Sequence, residues 1–202
     1  MRHLILNSLF CLFIFSCVSQ TKNDKNKAIE FNNRAIDLMI NTDDTSVTVL
    51  NRALGLLDSA IAIDNFNCLF YSNKVQILIK LNKIEQTIEV LSSLLKEKCQ
   101  TPGFFLVLGV LQEITNRVSD SKINYEHAYV ILQKKQNGPT SHLNMLLAEY
   151  LLDDNMVAFK KGLVDVEKYE EYKSIVKELK NLEKRQDIID VVISMNFGSE
   201  RV

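Results

Sequence analysis

A pattern that recurs after 34 residues constrains the fold of this chain more than any other feature of its sequence. The later copy reads Phe105-x2-Leu108-Gly109-x2-Gln112, followed by Ser121-x3-Tyr125-x2-Ala128. The earlier copy reads Tyr71-x2-Lys74-Val75-x2-Leu78, followed by Thr87-x3-Leu91-x2-Leu94. Apolar residues recur here at spacings of three and four, which is typical of one face of a helix. Each copy therefore predicts two amphipathic helices.

A third copy precedes these two with one irregularity. It reads Phe31-x2-Arg34-Ala35-x2-Leu38 and then Ala53-x3-Leu57-x2-Ala60. Its first helix begins 40 residues before Tyr71, and the extra residues fall on "NTDDTS", Asn41–Ser46, between the two helices. A helical hairpin tolerates such an insertion because the cost of loop closure grows slowly with length. One hairpin cannot bury its apolar stripe alone, so neighbouring hairpins should stack into a solenoid.

These copies resemble the tetratricopeptide repeat, which carries W-x2-L-G-x2-Y in its first helix and A-x3-F in its second. The resemblance covers residues 28–135 well and extends more weakly to 165, where a further hairpin would follow Gly138-Pro139. It implies an all-α solenoid of about 3–4 helical hairpins. The chain departs from the pattern at Leu38, Leu78 and Gln112, which replace the Tyr, and no Pro closes any unit.

Composition agrees with a helical chain and excludes one class of partner. With 6 Gly, 2 Pro and no Trp among 202 residues, the chain lacks the turn residues on which all-β proteins depend. The formal net charge of -1 argues against binding to nucleic acid, which requires a concentrated basic surface.

The N-terminus is typical of an export signal. Arg2 and His3 precede the short apolar stretch Leu4–Phe15, and "IFSC" ends at Cys17. This ending resembles the lipobox of bacterial lipoproteins. The resemblance implies that residues 1–16 are a signal peptide, and that Cys17 carries diacylglycerol and a further acyl chain such as palmitate. An uncleaved anchor and ordinary secretion remain the alternatives.

The residues after Cys17 are polar, and "VSQTKNDKNK" offers nothing large and apolar to bury. Residues 17–27 are therefore predicted to form a flexible tether. No Asp follows Cys17 directly. If the familiar sorting rule of enterobacterial lipoproteins applies, this favours a lipid anchor in the outer membrane, facing the periplasm of the cell envelope.

The C-terminal segment, residues 166–202, has a different composition from the repeats. It carries a narrow apolar stripe among mixed charges, formed by Tyr172, Ile175, Val176, Leu179 and Leu182. A solenoid needs a terminal element with a polar outer face, so we expect a capping helix here. A coiled segment that binds a partner or a second copy is the alternative.

Two cysteines fall within the predicted fold. Cys68 lies at the start of the first helix of the middle hairpin, and Cys99 at the end of its second. Antiparallel helices bring such ends together, so a disulfide is geometrically feasible in an oxidising compartment. Two free thiols are the alternative, because Cα atoms more than about 7 Å apart cannot be bridged.

No pattern in the chain indicates catalysis. His127 and His142 are isolated from any Ser or Cys nucleophile motif, and no phosphate-binding or zinc-protease motif is present. We therefore predict neither an enzyme nor a bound cofactor or metal.

The remaining candidate site is the groove that the first helices of tetratricopeptide repeats line. The resemblance implies that this groove holds a peptide or helix of another protein. We call its expected lining the predicted groove: Asn32, Asn33, Ile36, Ser72, Asn73, Gln76, Ile79, Lys80, Leu106, Val110 and Glu113. The Asn and Gln side chains both donate and accept hydrogen bonds, which suits contact with a peptide backbone.

The sequence thus favours a membrane-anchored protein-binding module, an adaptor of the bacterial envelope, whose oligomeric state the sequence does not indicate. Within the same class, a small immunity-type lipoprotein that neutralises a toxin in the periplasm fits the same address and size. An envelope enzyme subunit, with its site in the C-terminal third, is a rival from another class. A structural spacer is a further rival.

Overall fold

The computed structural model describes residues 22–40, 46–97, 99–134 and 138–197, and these residues form α-helices without any β-strand. Within them lie ten α-helices: α1 Lys22–Ile40, α2 Val47–Ile63, α3 Cys68–Lys80, α4 Ile84–Glu97, α5 Pro102–Ile114, α6 Val118–Lys134, α7 Pro139–Asp153, α8 Met156–Val166, α9 Lys173–Lys180 and α10 Arg185–Phe197. The predicted all-α fold is confirmed. The predicted signal peptide and Cys17 lie outside the described residues.

Each helix from α1 to α8 contacts the helix that follows it. Local sequence explains several of the helix starts. Ser46 and Asn67 precede α2 and α3, and their side chains accept hydrogen bonds from the exposed backbone N–H groups of Val49 and Leu69. Proline is the first residue of α5 and of α7. The backbone N–H at this position has no acceptor within the helix, so its absence in proline costs no hydrogen bond.

The 34-residue period appears again in the backbone of the turns. Asn82 is the middle residue of the α3–α4 turn and Asn116 that of the α5–α6 turn, and both have a left-handed backbone with φ of 54° and 62°. The next residue in each turn donates its N–H to an equivalent carbonyl, from Lys83 to Leu78 at 2.9 Å and from Arg117 to Gln112 at 2.7 Å. The two turns therefore share one geometry, as the sequence repeat predicts.

A close helix contact depends on Gly109. A Cβ atom built on Gly109 in α5 would lie 2.5 Å from Cε1 of Tyr125 in α6 and 3.1 Å from the backbone oxygen of Ser121. No real side chain fits at that distance. The small residue in the repeat pattern thus allows α5 and α6 to approach one another.

A disulfide joins Cys68, the first residue of α3, to Cys99, which follows α4. Their Cα atoms are 5.8 Å apart. The N-terminus of α3 and the C-terminus of α4 therefore lie at the same end of their hairpin.

The N-terminal boundary differs from the prediction. Because α1 begins at Lys22, the last six residues assigned to the flexible tether are helical. Asp24 in the first turn interacts favourably with the helix dipole. Ala28, two turns into the helix, is fully buried and holds α1 against α2.

The C-terminal segment also differs from the single capping helix that we expected. A 3-10 turn at Glu170–Tyr172 precedes α9, which ends at Lys180, and α10 begins only at Arg185. Val176 and Leu179 of the predicted stripe are fully buried in the main core. The break after α9 lets α10 turn back over apolar surface that the preceding helices leave uncovered.

Candidate functional site

Part of the groove that the sequence predicts is covered by the chain itself. Helix α10 contacts α3, α5 and α7, the first helices of three successive hairpins. Its buried residues Ile188, Ile189 and Val192 belong to the same core cluster as Leu106 and Val110 of α5. Leu106 and Val110 have no exposed surface, so our expectation that they line an open groove is revised.

Glu113, the charged residue of the predicted groove in α5, is also engaged within the chain. Arg185, the first residue of α10, donates to its carboxylate from Nε at 2.7 Å and from Nη2 at 2.9 Å. The hydroxyl of Tyr125 donates to the same carboxylate at 2.8 Å. Arg185 also donates to the Leu151 carbonyl at 2.7 Å and to Asp154 at 3.3 Å. We call this set the Arg185 cluster.

The charges of this cluster stabilise one another. Burial alone would raise the pKa of Glu113, but hydrogen bonds from Arg185 and Tyr125 outweigh it and lower that pKa. Burial, with the adjacent Glu113 carboxylate, raises the pKa of Tyr125 well above its usual value. The hydrogen bond to Glu113 likewise raises the pKa of Arg185. The cluster is therefore an ion pair that fixes the start of α10.

Two asparagines of the predicted groove contact each other. Asn73 Nδ2 in α3 donates to Asn32 Oδ1 in α1 at 2.7 Å, and Asn32 is buried. This hydrogen bond joins the first helices of two successive hairpins. Asn33 is exposed, whereas Ile36 and Ser72 are partly exposed. None of these five residues lines the cavity described next.

Three members of the predicted groove remain around an open cavity of about 920 Å³. Gln76, Ile79 and Lys80 of α3 form one wall of this space. Residues from the end of the chain form the other walls: Glu171, Ser174, Ile175, Glu178, Leu182, Asp187, Asp190, Val191, Ile193, Ser194 and Met195. We call it the α3–α10 cavity. The cavity thus brings three of the five predicted α3 residues together with residues of the C-terminal segment.

The α3–α10 cavity combines an apolar floor with an acidic rim. Ile79, Ile175 and Leu182 are among its apolar residues. Its charged residues are four acids, Glu171, Glu178, Asp187 and Asp190, and one base, Lys80. At neutral pH such a lining attracts positive charge and shelters apolar side chains.

Sequence reasoning missed the α9 and α10 residues of this site because it treated the C-terminal segment as a cap. One feature of the sequence does point to the contact between α5 and α10. Glu113 is the only charged residue in helix α5, "PGFFLVLGVLQEI", which is otherwise apolar except for Gln112. A carboxylate at the end of such a helix needs a cationic partner when it is buried, and Arg185 provides one.

A second cavity of about 710 Å³ lies between α4, α5 and α6, on residues that include Phe105, Ile123 and Val130. It contains none of the predicted groove residues. His127, which borders it, packs edge-on against the Phe105 ring at 5.2 Å between centroids. Its position agrees with a packing role for this histidine.

Residues 22–40, 46–97, 99–134 and 138–197 contain no cluster of three or more His, Cys, Asp or Glu side chains suited to a metal ion. In these same ranges no helix is both long and apolar enough to cross a membrane.

No protein-family model, no curated protein and no solved structure matches this chain. The fold and the site define its class: an all-helical protein of successively packed helices, with an acid-rimmed cavity between its third helix and its C-terminal helices.

Proposed function

We propose that this protein is a tetratricopeptide-like lipoprotein of the bacterial envelope that binds a segment of another protein in the α3–α10 cavity. The observation that carries the proposal is the lining of that cavity. It joins the α3 residues that the repeat pattern selects, Gln76, Ile79 and Lys80, to an apolar floor and four carboxylates.

The recurring contacts between hairpins support the tetratricopeptide-like arrangement. Lys83 donates from Nζ to Asn51 Oδ1 at 3.2 Å, and Arg117 pairs with Glu85 at 2.5 Å. Each pair spans 32 residues, and the second lies 34 residues after the first. The same positions of successive units therefore contact one another, as a nearest-neighbour array requires.

The disulfide supports an exported protein. Disulfides persist in the periplasm and outside the cell, whereas the cytosol keeps thiols reduced. The Cys68–Cys99 bond agrees with the export signal that ends at Cys17. Acylation at Cys17 would then hold the fold to the membrane, and several acyl chains on one residue anchor it stably. An outer-membrane location facing the periplasm is part of the proposal.

The charge of the cavity specifies the partner further. Four carboxylates and one Lys80 ammonium favour a cationic segment whose apolar side chains enter the floor. An amphipathic helix or an extended peptide with Lys or Arg at its edges meets both requirements. The proposed role is therefore that of an adaptor, which binds another protein and carries out no reaction at this site.

Affinity capture from envelope extracts tests this proposal. Mature wild-type chain is compared with Ile79→Asp, which places a charge in the floor, and with Glu178→Lys, which reverses part of the rim. Val164→Asp is the matched control, because Val164 is an exposed apolar residue of α8 away from the cavity. We expect a partner that the wild type and the control retain and both cavity variants lose, with retention decreasing as salt rises. Equal retention by all four proteins would refute the site.

A further inference from the structure

The first three helices place apolar residues and lysines at one end of the fold. Ala28 of α1, Ala60 of α2 and Phe70 of α3 form one buried cluster, so the start of α1, the end of α2 and the start of α3 lie together. We call this the anchor end. Phe66 and Leu69, in and just after the α2–α3 loop, are 73% and 57% exposed there.

The packing of α1 on α2 shows where the chain enters this end. Ala28 packs in a cluster with Ala60, and Ala35 packs in another cluster with Ala53. Seven residues forward along α1 thus correspond to seven residues backward along α2. In this antiparallel register the start of α1 and the end of α2 lie at the same end of the pair, and Phe66 lies in the loop that follows α2.

The described part of the chain begins at Lys22, at this end of the fold. Only five residue steps separate Lys22 from Cys17. A fully extended chain of that length reaches about 17 Å. An acyl anchor on Cys17 would consequently keep the anchor end within reach of the lipid headgroups.

We propose that the anchor end rests on the bilayer, with Phe66 and Leu69 inserted at the interface. Exposed Phe and Leu side chains gain by burial at the acyl boundary, and nearby Lys side chains attract anionic lipid. Lys22, Lys25 and Lys27 are exposed on the first turns of α1. This inference rests on the proposed acylation of Cys17, and it adds a second contact that fixes how the fold is oriented on the membrane.

Tryptophan fluorescence tests the inference, since the chain contains no Trp. Phe66→Trp places a single indole at the anchor end. Val157→Trp is the matched control, because Val157 is 80% exposed at the start of α8 and does not belong to the cluster that defines the anchor end. Each full-length variant is purified from membranes and reconstituted in vesicles of phosphatidylethanolamine and phosphatidylglycerol, with and without brominated acyl chains.

We expect brominated lipid to quench the Phe66→Trp indole and to leave the Val157→Trp indole unchanged. Adding Leu69→Ser and Lys22→Glu to the Phe66→Trp protein should reduce the quenching. Mass spectrometry of the peptide that contains Cys17 distinguishes the proposed acylation from the proposed membrane contact of the anchor end. An acylated Cys17 with an unquenched Phe66→Trp indole overturns the membrane contact alone. An unmodified Cys17 overturns the anchor, and the inference that rests on it.

Discussion

Arg185 and Glu113 lie 72 residues apart in the chain, and two hydrogen bonds of 2.7 and 2.9 Å join their side chains. Through this pair the C-terminal helix is fixed to the third hairpin, across the surface that the sequence assigns to a partner. Glu113 therefore serves the fold, and the site that we propose for a partner is the α3–α10 cavity, whose lining does not include Glu113.

Arg185→Ala should lower the free energy of unfolding by about 2 kcal/mol, because it leaves the half-buried Glu113 carboxylate without its cationic donor. Urea denaturation at pH 7 measures the change. Arg34→Ala is the control, since the Arg34–Glu30 pair is 57% and 67% exposed and should contribute less than about 0.5 kcal/mol. Equal effects of the two substitutions would contradict a structural role for the Arg185 cluster.

Glu113 should make stability depend on pH below neutrality. Its folded-state pKa is lowered, so its contribution is fully present above the unfolded-state pKa of about 4.3. That contribution is lost as the pH falls through the folded-state pKa. Urea denaturation between pH 7 and pH 3 should show a shallower decline for Glu113→Gln than for the wild type. Parallel curves would show that the pair does not survive in solution.

Two glycine substitutions should have opposite effects. Gly109→Ala would place a methyl group 2.5 Å from the Tyr125 ring, so it should cost about 1–3 kcal/mol of stability. Gly55→Ala in α2 meets nothing within 4 Å and should stabilise the protein by about 0.5–1 kcal/mol, because alanine is the better helix former. Thermal melts followed by circular dichroism compare the two. If Gly109→Ala leaves the thermal stability unchanged, then α5 and α6 pack less closely than they do in the structure.

Reduction of the disulfide should destabilise the fold. The bond closes a sequence separation of 31 residues. In the chain-entropy model a loop of that length contributes about 3–4 kcal/mol. Urea denaturation with and without dithiothreitol measures the loss in the wild type. The Cys68→Ser/Cys99→Ser variant is the control: it should match the reduced wild type and respond no further to dithiothreitol.

The repeat could be predicted from sequence because its determinants are local. Helical spacing, small residues such as Gly109 and the turns at Asn82 and Asn116 all act within one hairpin, so they recur with the period. The Cys68–Cys99 contact could be foreseen as feasible because it also lies within one hairpin. No local sequence pattern indicates how far apart helices of different hairpins lie.

The position of α10 could not be predicted in this way. Its buried residues Ile188, Ile189 and Val192 look like any apolar helix face, and nothing local selects which surface they cover. That choice depends on the unfilled space between α3, α5 and α7 and on the distant Glu113. The predicted groove therefore includes Gln76, Ile79 and Lys80, which line the cavity, but also Leu106 and Val110, which are buried in the same core cluster as residues of α10.

Helix α10 also changes how the array should unfold. Hairpins that touch only their neighbours unfold piecemeal, with stability that sums along a line. Because α10 contacts α3, α5 and α7 at once, opening any one of these three hairpins exposes apolar surface on the others. We therefore expect the third, fifth and seventh helices to unfold together with α10 rather than one hairpin at a time.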